Sequence, residues 1–410
     1  MKTFKTNQDR LTQRIEQLAR IGADQGGGVT RLTFSDADKE GRDLLVRWMR
    51  ELGLTVQIDR VGNIFGTRSG ESDQPPVMFG SHIDTVKAAG TLDGAYGVLA
   101  ALECIQTLND GKVKTKRPLV VVAFTNEEGV RYTPGMLGST AYIGDLSVDD
   151  AMNLRGFDGS RFGDEIRRIG YDGTMEPGSI QPFAYLELHI EQGPLLDLSR
   201  TSIGAVEAVV GITWLEITVN GAANHAGTTP MNMRRDAGLA AAKIVTQLRE
   251  IATTLGGNQR ATCGMIQFLP NAINVIPSQA VFTVDLRNSD AAALKQAEAM
   301  LREYVKKVAA EDGVSIDVRV LEYVQPVQFH PMVIETVEKS AQEMELSHQR
   351  MVSGAGHDAQ LMAHKYPAAM IFVPSREGIS HSPKEYTEPE ELMRGADVLL
   401  NAVVGLANRD

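Results

Sequence analysis

Only two cysteines, Cys104 and Cys263, occur in the 410 residues. They lie far apart and match no metal or disulfide spacing, which excludes a disulfide-built scaffold and points to a reducing compartment. Net positive charge is also missing. The 41 Lys and Arg against 52 Asp and Glu leave −11, the wrong sign for nucleic acid or an anionic membrane surface as partner. No run approaches the roughly 18 apolar residues that a membrane span requires. The opening stretch, MKTFKTNQDRLTQRIEQLARIG, is too polar for a signal peptide and reads as an amphipathic helix. Internal repeats and low-complexity tracts are absent. The expectation is a cytoplasmic globular chain with neither nucleic acid nor membrane as partner.

What is present is an ordinary globular composition, 43% hydrophobic, in a chain longer than one core usually serves, so two domains are expected. The first half alternates strand and helix patterns. A helix over about 35–53 opens at Ser35-Asp36 and closes at Gly53. Strand-like LTVQIDR and NIFGTR follow, then PVMFGSHID, a helix from about 94 to 109, and PLVVVAF. That last run is continuously apolar and rich in β-branched residues, as a strand buried on both faces should be. The alternation implies an α/β layer with a mainly parallel sheet. Between about 213 and 325 the order changes. WLEITVNG, a helix over 235–255, ATCGMIQFL, QAVFTVDLR, a long helix and SIDVRVLEY give β-α-β-β-α-β, the order of a ferredoxin-like α+β domain. A helix near 331–346 and the strand AAMIFVP then resume the α/β pattern. The expected organisation is a discontinuous catalytic domain, 1–212 with 326–410, interrupted by an inserted domain over 213–325.

Ligand-type side chains cluster where the α/β strands end, which is where such sheets bind ligands. GSHIDTVKAAGTLDGAYG carries His82, Asp84 and Asp93; TNEEG carries Glu127 and Glu128; LELHIEQG carries His189; GISHSP carries His381. Singly, most of these have plain structural readings. His82 suits a buried histidine held by Asp84, Asp93 suits a helix N-cap, and an isolated Glu-Glu pair suits a solvated helix face. The pair here follows a buried strand and precedes Gly129, which is the wrong context for a helix surface. Together, three histidines and at least two carboxylates without cysteine suit zinc, manganese, cobalt or nickel and exclude a thiolate zinc finger. Two metals sharing a carboxylate activate water and polarise a carbonyl, and a spare glutamate beside a ligating one suits a general base. A two-metal hydrolase is the reading from the residues.

The combination HxD, a downstream LDG, EEG after a strand and GISHSP resembles the dinuclear metallohydrolases of the aminoacylase and glutamate carboxypeptidase type. With GVTRL, LELHIEQGP, NHAGTTPM, NAINVIP, DLRNSD and SGAGHDAQ, the resemblance narrows to the branch of N-carbamoyl-L-amino-acid hydrolases, allantoate amidohydrolases and β-ureidopropionases. His189 stands where peptidases of that family carry an acidic residue. The resemblance implies that Asp93 bridges two divalent metal ions, His82 and His189 completing one site and Glu128 and His381 the other. It implies Glu127 as the base and Asp84 as the group orienting His82. In the inserted domain it implies His225 as an oxyanion donor delivered across a homodimer, making that domain a lid and dimerisation surface. Arg287 becomes the anchor for a substrate carboxylate, and Asn274 and Gln192 amide contacts to the carboxylate or ureido group. The glycines of SGAGHDA, Gly356 among them, suit close approach to a ligand, and His357 either donates to the substrate or holds the loop.

The implied reaction is hydrolysis of the ureido C–N bond of an N-carbamoyl-L-amino acid to amino acid, CO2 and ammonia by a metal-activated water. Allantoate amidohydrolase and β-ureidopropionase are the near alternatives. An N-acyl-amino-acid deacylase or metallopeptidase on the same fold is the more distant one, and His189 speaks against it.

Overall fold

The computed structural model describes residues 3–409, and they divide into two compact units. One comprises the residues up to Glu207 and those from Phe329 onward; the other is Ala208–Gln328. Among the described residues no helix is long and apolar enough to cross a membrane.

The strands, in chain order, are β1 (Thr55–Ile58), β2 (Ile64–Arg68), β3 (Val77–His82), β4 (Leu119–Phe124), β5 (Ala184–Ile190), β6 (Ile203–Val209), β7 (Gly211–Asn220), β8 (Arg260–Thr262), β9 (Ile266–Leu269), β10 (Gln279–Asn288), β11 (Ser315–Val324), β12 (Val327–Gln328), β13 (His348–Ser353) and β14 (Ala368–Val373). The larger sheet runs β1-β2-β4-β3-β5-β14-β6-β12, with β13 also on β6. Its four central strands, β4, β3, β5 and β14, are parallel, and antiparallel strands border them on both sides. β3, β4, β5 and β14 are buried at every position, because helices cover both faces of a parallel sheet. This is the α/β layer that the apolar runs lead one to expect. Registers such as His82↔Phe124 and His189↔Phe372 bring the carboxyl ends of these strands to one edge.

The helices follow their sequence signals. Asp36–Glu51 starts where the Ser35 side chain accepts the Asp38 N–H, and Ala95–Asp110 follows the Asp93 loop. Four short helices, Leu137–Ile143, Val148–Asn153, Phe162–Ile169 and Leu195–Ser199, escape a periodicity reading because they are shorter than the roughly 11–18-residue window over which a helical period is read.

The second unit is a five-stranded sheet of order β11-β7-β10-β8, with β9 also on β10, and every pairing is antiparallel. Helices Ala237–Leu255 and Ala291–Asp312, capped by Asp236 and Asp290, cover one face. Their Ile244, Leu248, Leu301 and Val308 close a core over Leu215, Ile217, Phe282 and Val284. This is the ferredoxin-like arrangement. ATCGMIQFL, expected as one strand, is two: the chain bows out at Cys263–Met265, where the Met265 carbonyl accepts the Thr283 N–H at 3.0 Å, and pairing resumes at β9.

Candidate active site

His82 is the last residue of β3, and the chain beyond it turns back so that its Nδ1 lies 3.0 Å from the Asp84 carbonyl oxygen. The Asp84 carboxylate is 3.8 Å from that nitrogen. It faces the neighbouring strand end instead, where Oδ1 accepts the Glu127 N–H at 3.2 Å and Oδ2 the Glu128 N–H at 3.3 Å. The two glutamates sit in a turn after β4, entered through Asn126 in the left-handed region at φ 58°. The Asn126 amide holds that turn by donating to the carbonyls of Tyr132 and Pro134. Glu127 and Glu128 thus present their side chains at the sheet edge, not on a helix.

Asp93 is at the centre. Its Oδ1 is 3.2 Å from His189 Nε2 and 3.7 Å from His82 Nε2, while its Oδ2 is 3.0 Å from His381 Nε2. Glu128 Oε2 lies 3.6 Å from the same His381 nitrogen. Two sets therefore form around one carboxylate: His82, Asp93 and His189, and Asp93, Glu128 and His381, each with ligand atoms within 4.8 Å of one another. Gly94 is what admits His82 beside Asp93. Its φ is +62°, and a Cβ there would lie 2.3 Å from the His82 ring. Glu127 Oε2 is 3.5 Å from His82 Nε2, next to the first set.

The electrostatics favour a cation at this place. Burial lowers the His189 pKa, but the hydrogen bond and charge of Asp93 overcome it and bring it to about 9. The Asp93 hydrogen bond likewise raises His381 to about 9. Burial, and then the neighbouring Glu128 charge, push the Glu127 carboxyl well up, and burial together with Asp93 raises Glu128 to about 8. Glu128 Oε1 and Gln192 Oε1 are buried without a partner. Two-nitrogen-one-carboxylate and one-nitrogen-two-carboxylate sets, excess negative charge and an orphaned carboxylate oxygen fit divalent metal of the borderline type. The cluster opens into a cavity of about 290 Å³ that Met136, Gln192 and the 355–357 segment also line.

Gln192, held at φ 57°, donates from Nε2 to Asp93 Oδ2 at 2.9 Å. His357 is buried, with its ring edge against His189 at 4.6 Å between centroids and its Nε2 3.0 Å from Ser353 Oγ. Gly356 lies beside the Met136 side chain.

His225, Asn274 and Arg287 belong to the second unit. His225 and Val275 form a bridge, and the Asn274 carbonyl accepts the Ala226 N–H, so His225 and Asn274 are neighbours. Two backbone N–H groups, from Gly227 and Thr228, point at His225 Nδ1 at 3.0 and 3.2 Å. That nitrogen is therefore the acceptor, and the ring carries its proton on Nε2. Arg287, near the end of β10, pairs with Asp285 Oδ2 at 2.9 Å.

Sequence reasoning overlooked the buried groups behind the cluster. Glu187 accepts from Ser81 Oγ at 2.7 Å and from the Ala359 N–H at 2.8 Å, tying β3, β5 and the SGAGHDA loop together. Asp358 accepts from Ser139, and Glu385 holds the Asp93 loop. All three lie inside or beside the quoted motifs; Glu187 in LELHIEQG and Asp358 in SGAGHDAQ were the available signals.

A parallel α/β sheet with a shared-carboxylate cluster at its carboxyl edge, joined to a ferredoxin-like unit, defines a hydrolase of the metal-binding kind. The chain belongs to peptidase family M20/M25/M40, whose model matches residues 78–404. It is 41% identical over 404 residues to an N-carbamoyl-L-amino-acid amidohydrolase of Rhizobium meliloti, covering 98% of this chain and 97% of that protein. It is 37% identical over 402 residues to the allantoate amidohydrolase of Escherichia coli (strain K12), covering 97% of each. A hydantoinase/carbamoylase family amidase from Burkholderia multivorans superposes with a TM-score of 0.97 at 42% identity, over 99% of both chains.

Proposed function

We propose that the chain hydrolyses the ureido C–N bond of N-carbamoyl-L-amino acids with the help of two divalent metal ions, which His82, Asp93, Glu128, His189 and His381 would hold. The metals, when bound, polarise the ureido carbonyl and make water a nucleophile near neutral pH. The observation that carries this reading is Asp93 shared by two ligand sets with the unshared Glu127 beside them. Four relatives at 34–41% identity named N-carbamoyl-L-amino-acid amidohydrolases supply the substrate class.

Glu127 takes a proton from the attacking water and delivers it to the leaving nitrogen, which departs as the amino group of the amino acid. The carbamic acid that remains falls apart to CO2 and ammonia. Asp84 fixes the backbone of Glu127 and Glu128, so base and ligand keep their spacing. Gln192 spends its N–H on Asp93 and leaves Oε1 to accept an N–H of the ureido group. His225 donates from Nε2 to the developing oxyanion, a role that its fixed tautomer suits. Arg287 and Asn274 hold the substrate carboxylate.

The second unit is the lid and the dimerisation surface. Exposed Trp214, Ile266, Leu269, Val320, Leu321 and Tyr323 on its strands support a second copy of the chain as partner. The free cysteines, one buried and one half-buried, agree with a cytoplasmic setting.

Allantoate is the second reading, because two relatives at 36–37% identity are named allantoate amidohydrolases. Ammonia release by the metal-loaded enzyme from N-carbamoyl-L-methionine, N-carbamoyl-β-alanine and allantoate, measured in parallel, decides between them. Cleavage of N-acetyl amino acids without turnover of any ureido compound would overturn both.

A further inference from the structure

A carboxylate outside both ligand sets lies directly behind Asp93. Glu385, four residues past His381, is buried, and its Oε1 accepts the N–H groups of Leu92 at 3.0 Å and Asp93 at 3.2 Å. Its Oε2 accepts the Ser380 hydroxyl at 2.8 Å, and that hydroxyl oxygen stands 3.4 Å from Asp93 Oδ2. Gly90 completes the fit. Its backbone does not occupy the left-handed region, so conformation alone does not demand glycine there. A Cβ at that position would nevertheless come within 2.2 Å of Glu385 Oε1 and 2.4 Å of Glu385 Cβ. The loop over 90–93 is wrapped onto this one side chain.

We propose that Glu385 is the positioning residue for the shared carboxylate, holding Asp93 and the Ser380–His381 segment in one register so that the second ligand set can form. The inference rests on the two-metal reading above. Its physical basis is the hydrogen-bonding of groups behind the ligands, which fixes ligand orientation and typically changes metal affinity 10- to 100-fold. Without Glu385, two N–H groups beside Asp93 would be buried and unpaired, and such groups force the backbone to seek other partners. The consequence is unequal for the two sets. His82 and His189 stand on β3 and β5, whose ladders hold them. His381 stands on a loop at φ 52° with its side chain half exposed, so its position depends on Ser380 and therefore on Glu385.

The test loads the full-length protein with Mn(II) alone and reads stoichiometry, affinity and the EPR spectrum. The wild type should bind two Mn(II) per chain as an exchange-coupled pair. Glu385→Ala should keep one ion, bind the second about 10- to 100-fold more weakly, and show the spectrum of an isolated Mn(II). Glu385→Gln keeps an acceptor for both N–H groups and offers a donor to Ser380 Oγ, so it should restore the coupled spectrum. Gly90→Ala, which displaces the carboxylate without removing it, should reproduce the loss and serves if Glu385→Ala does not fold. Two Mn(II) bound with wild-type affinity and coupling in Glu385→Ala, or in its place Gly90→Ala, overturns the proposal while leaving the two-metal reading intact. A wild type that binds at most one ion overturns both.

Discussion

Asp84 and Glu127 belong to the ends of different strands, yet the Asp84 carboxylate accepts the Glu127 backbone N–H at 3.2 Å. The same carboxylate takes the Glu128 N–H, so one side chain sets the height of the proposed base and the proposed ligand together. Asp84→Ala should therefore lower kcat by about 10- to 100-fold and weaken metal binding by a similar factor. Steady-state kinetics beside metal titration checks this, and an unchanged metal affinity would confine Asp84 to folding.

Glu127→Gln removes the proposed proton acceptor and keeps the shape. Turnover should fall by about 10²- to 10⁴-fold, the usual worth of a general base, while bound metal measured by elemental analysis stays at the wild-type level. Wild-type turnover in this variant would assign the base elsewhere.

His225→Ala should reduce kcat by about 10²- to 10³-fold, the cost of one oxyanion donor, with metal content unchanged. Because the ring nitrogen that faces Gly227 and Thr228 is an acceptor, His225→Gln should recover part of the loss only if its amide N–H reaches the same place. A variant with lost metal instead would show that His225 acts on the ligand set.

The Asp38–Arg42 ion pair is buried at both ends, 2.7 Å apart, and Arg42 also donates to the Gly62 carbonyl at 2.7 Å. Arg42→Met leaves the Asp38 carboxylate without its partner and should destabilise the protein by about 3–5 kcal/mol. Chemical denaturation gives the figure directly.

Asp59 gives a pH signature of stability. Burial raises its pKa to about 7 against the hydrogen bonds from Asn63, Val61 and Gly62. The folded state thus holds a proton that the unfolded chain releases near pH 4. The corresponding stability is complete below that pH and is lost as pH rises to about 7, at up to about 1.4 kcal/mol per pH unit. The unfolding free energy of the wild type minus that of Asp59→Asn should fall with that slope from about pH 4.5 towards 7 and level off above it. A difference independent of pH would show that Asp59 is ionised throughout.

The fold was legible where physics writes it locally. PLVVVAF announces a strand buried on both faces, AAMIFVP announces a strand, and Ser35 marks a helix start by its side-chain oxygen. The gathering of His and acidic residues at strand ends was legible too, since the motifs that carry them follow apolar runs. The groups behind them were not. Glu385 bonds the Asp93 N–H across 292 positions, and a backbone N–H carries no side-chain identity that a sequence could display. The break between β8 and β9 was equally hidden, because Thr283 on the opposite strand takes part in making it.

β6 leads out of the first unit and β12 leads back, and the two pair side by side at Val209↔Val327 and Ala208↔Gln328. The 117 or so residues between these ends are, to the large sheet, an oversized hairpin turn. The chain departs and returns on neighbouring strands, so the strand order of the large sheet is unbroken by everything between them.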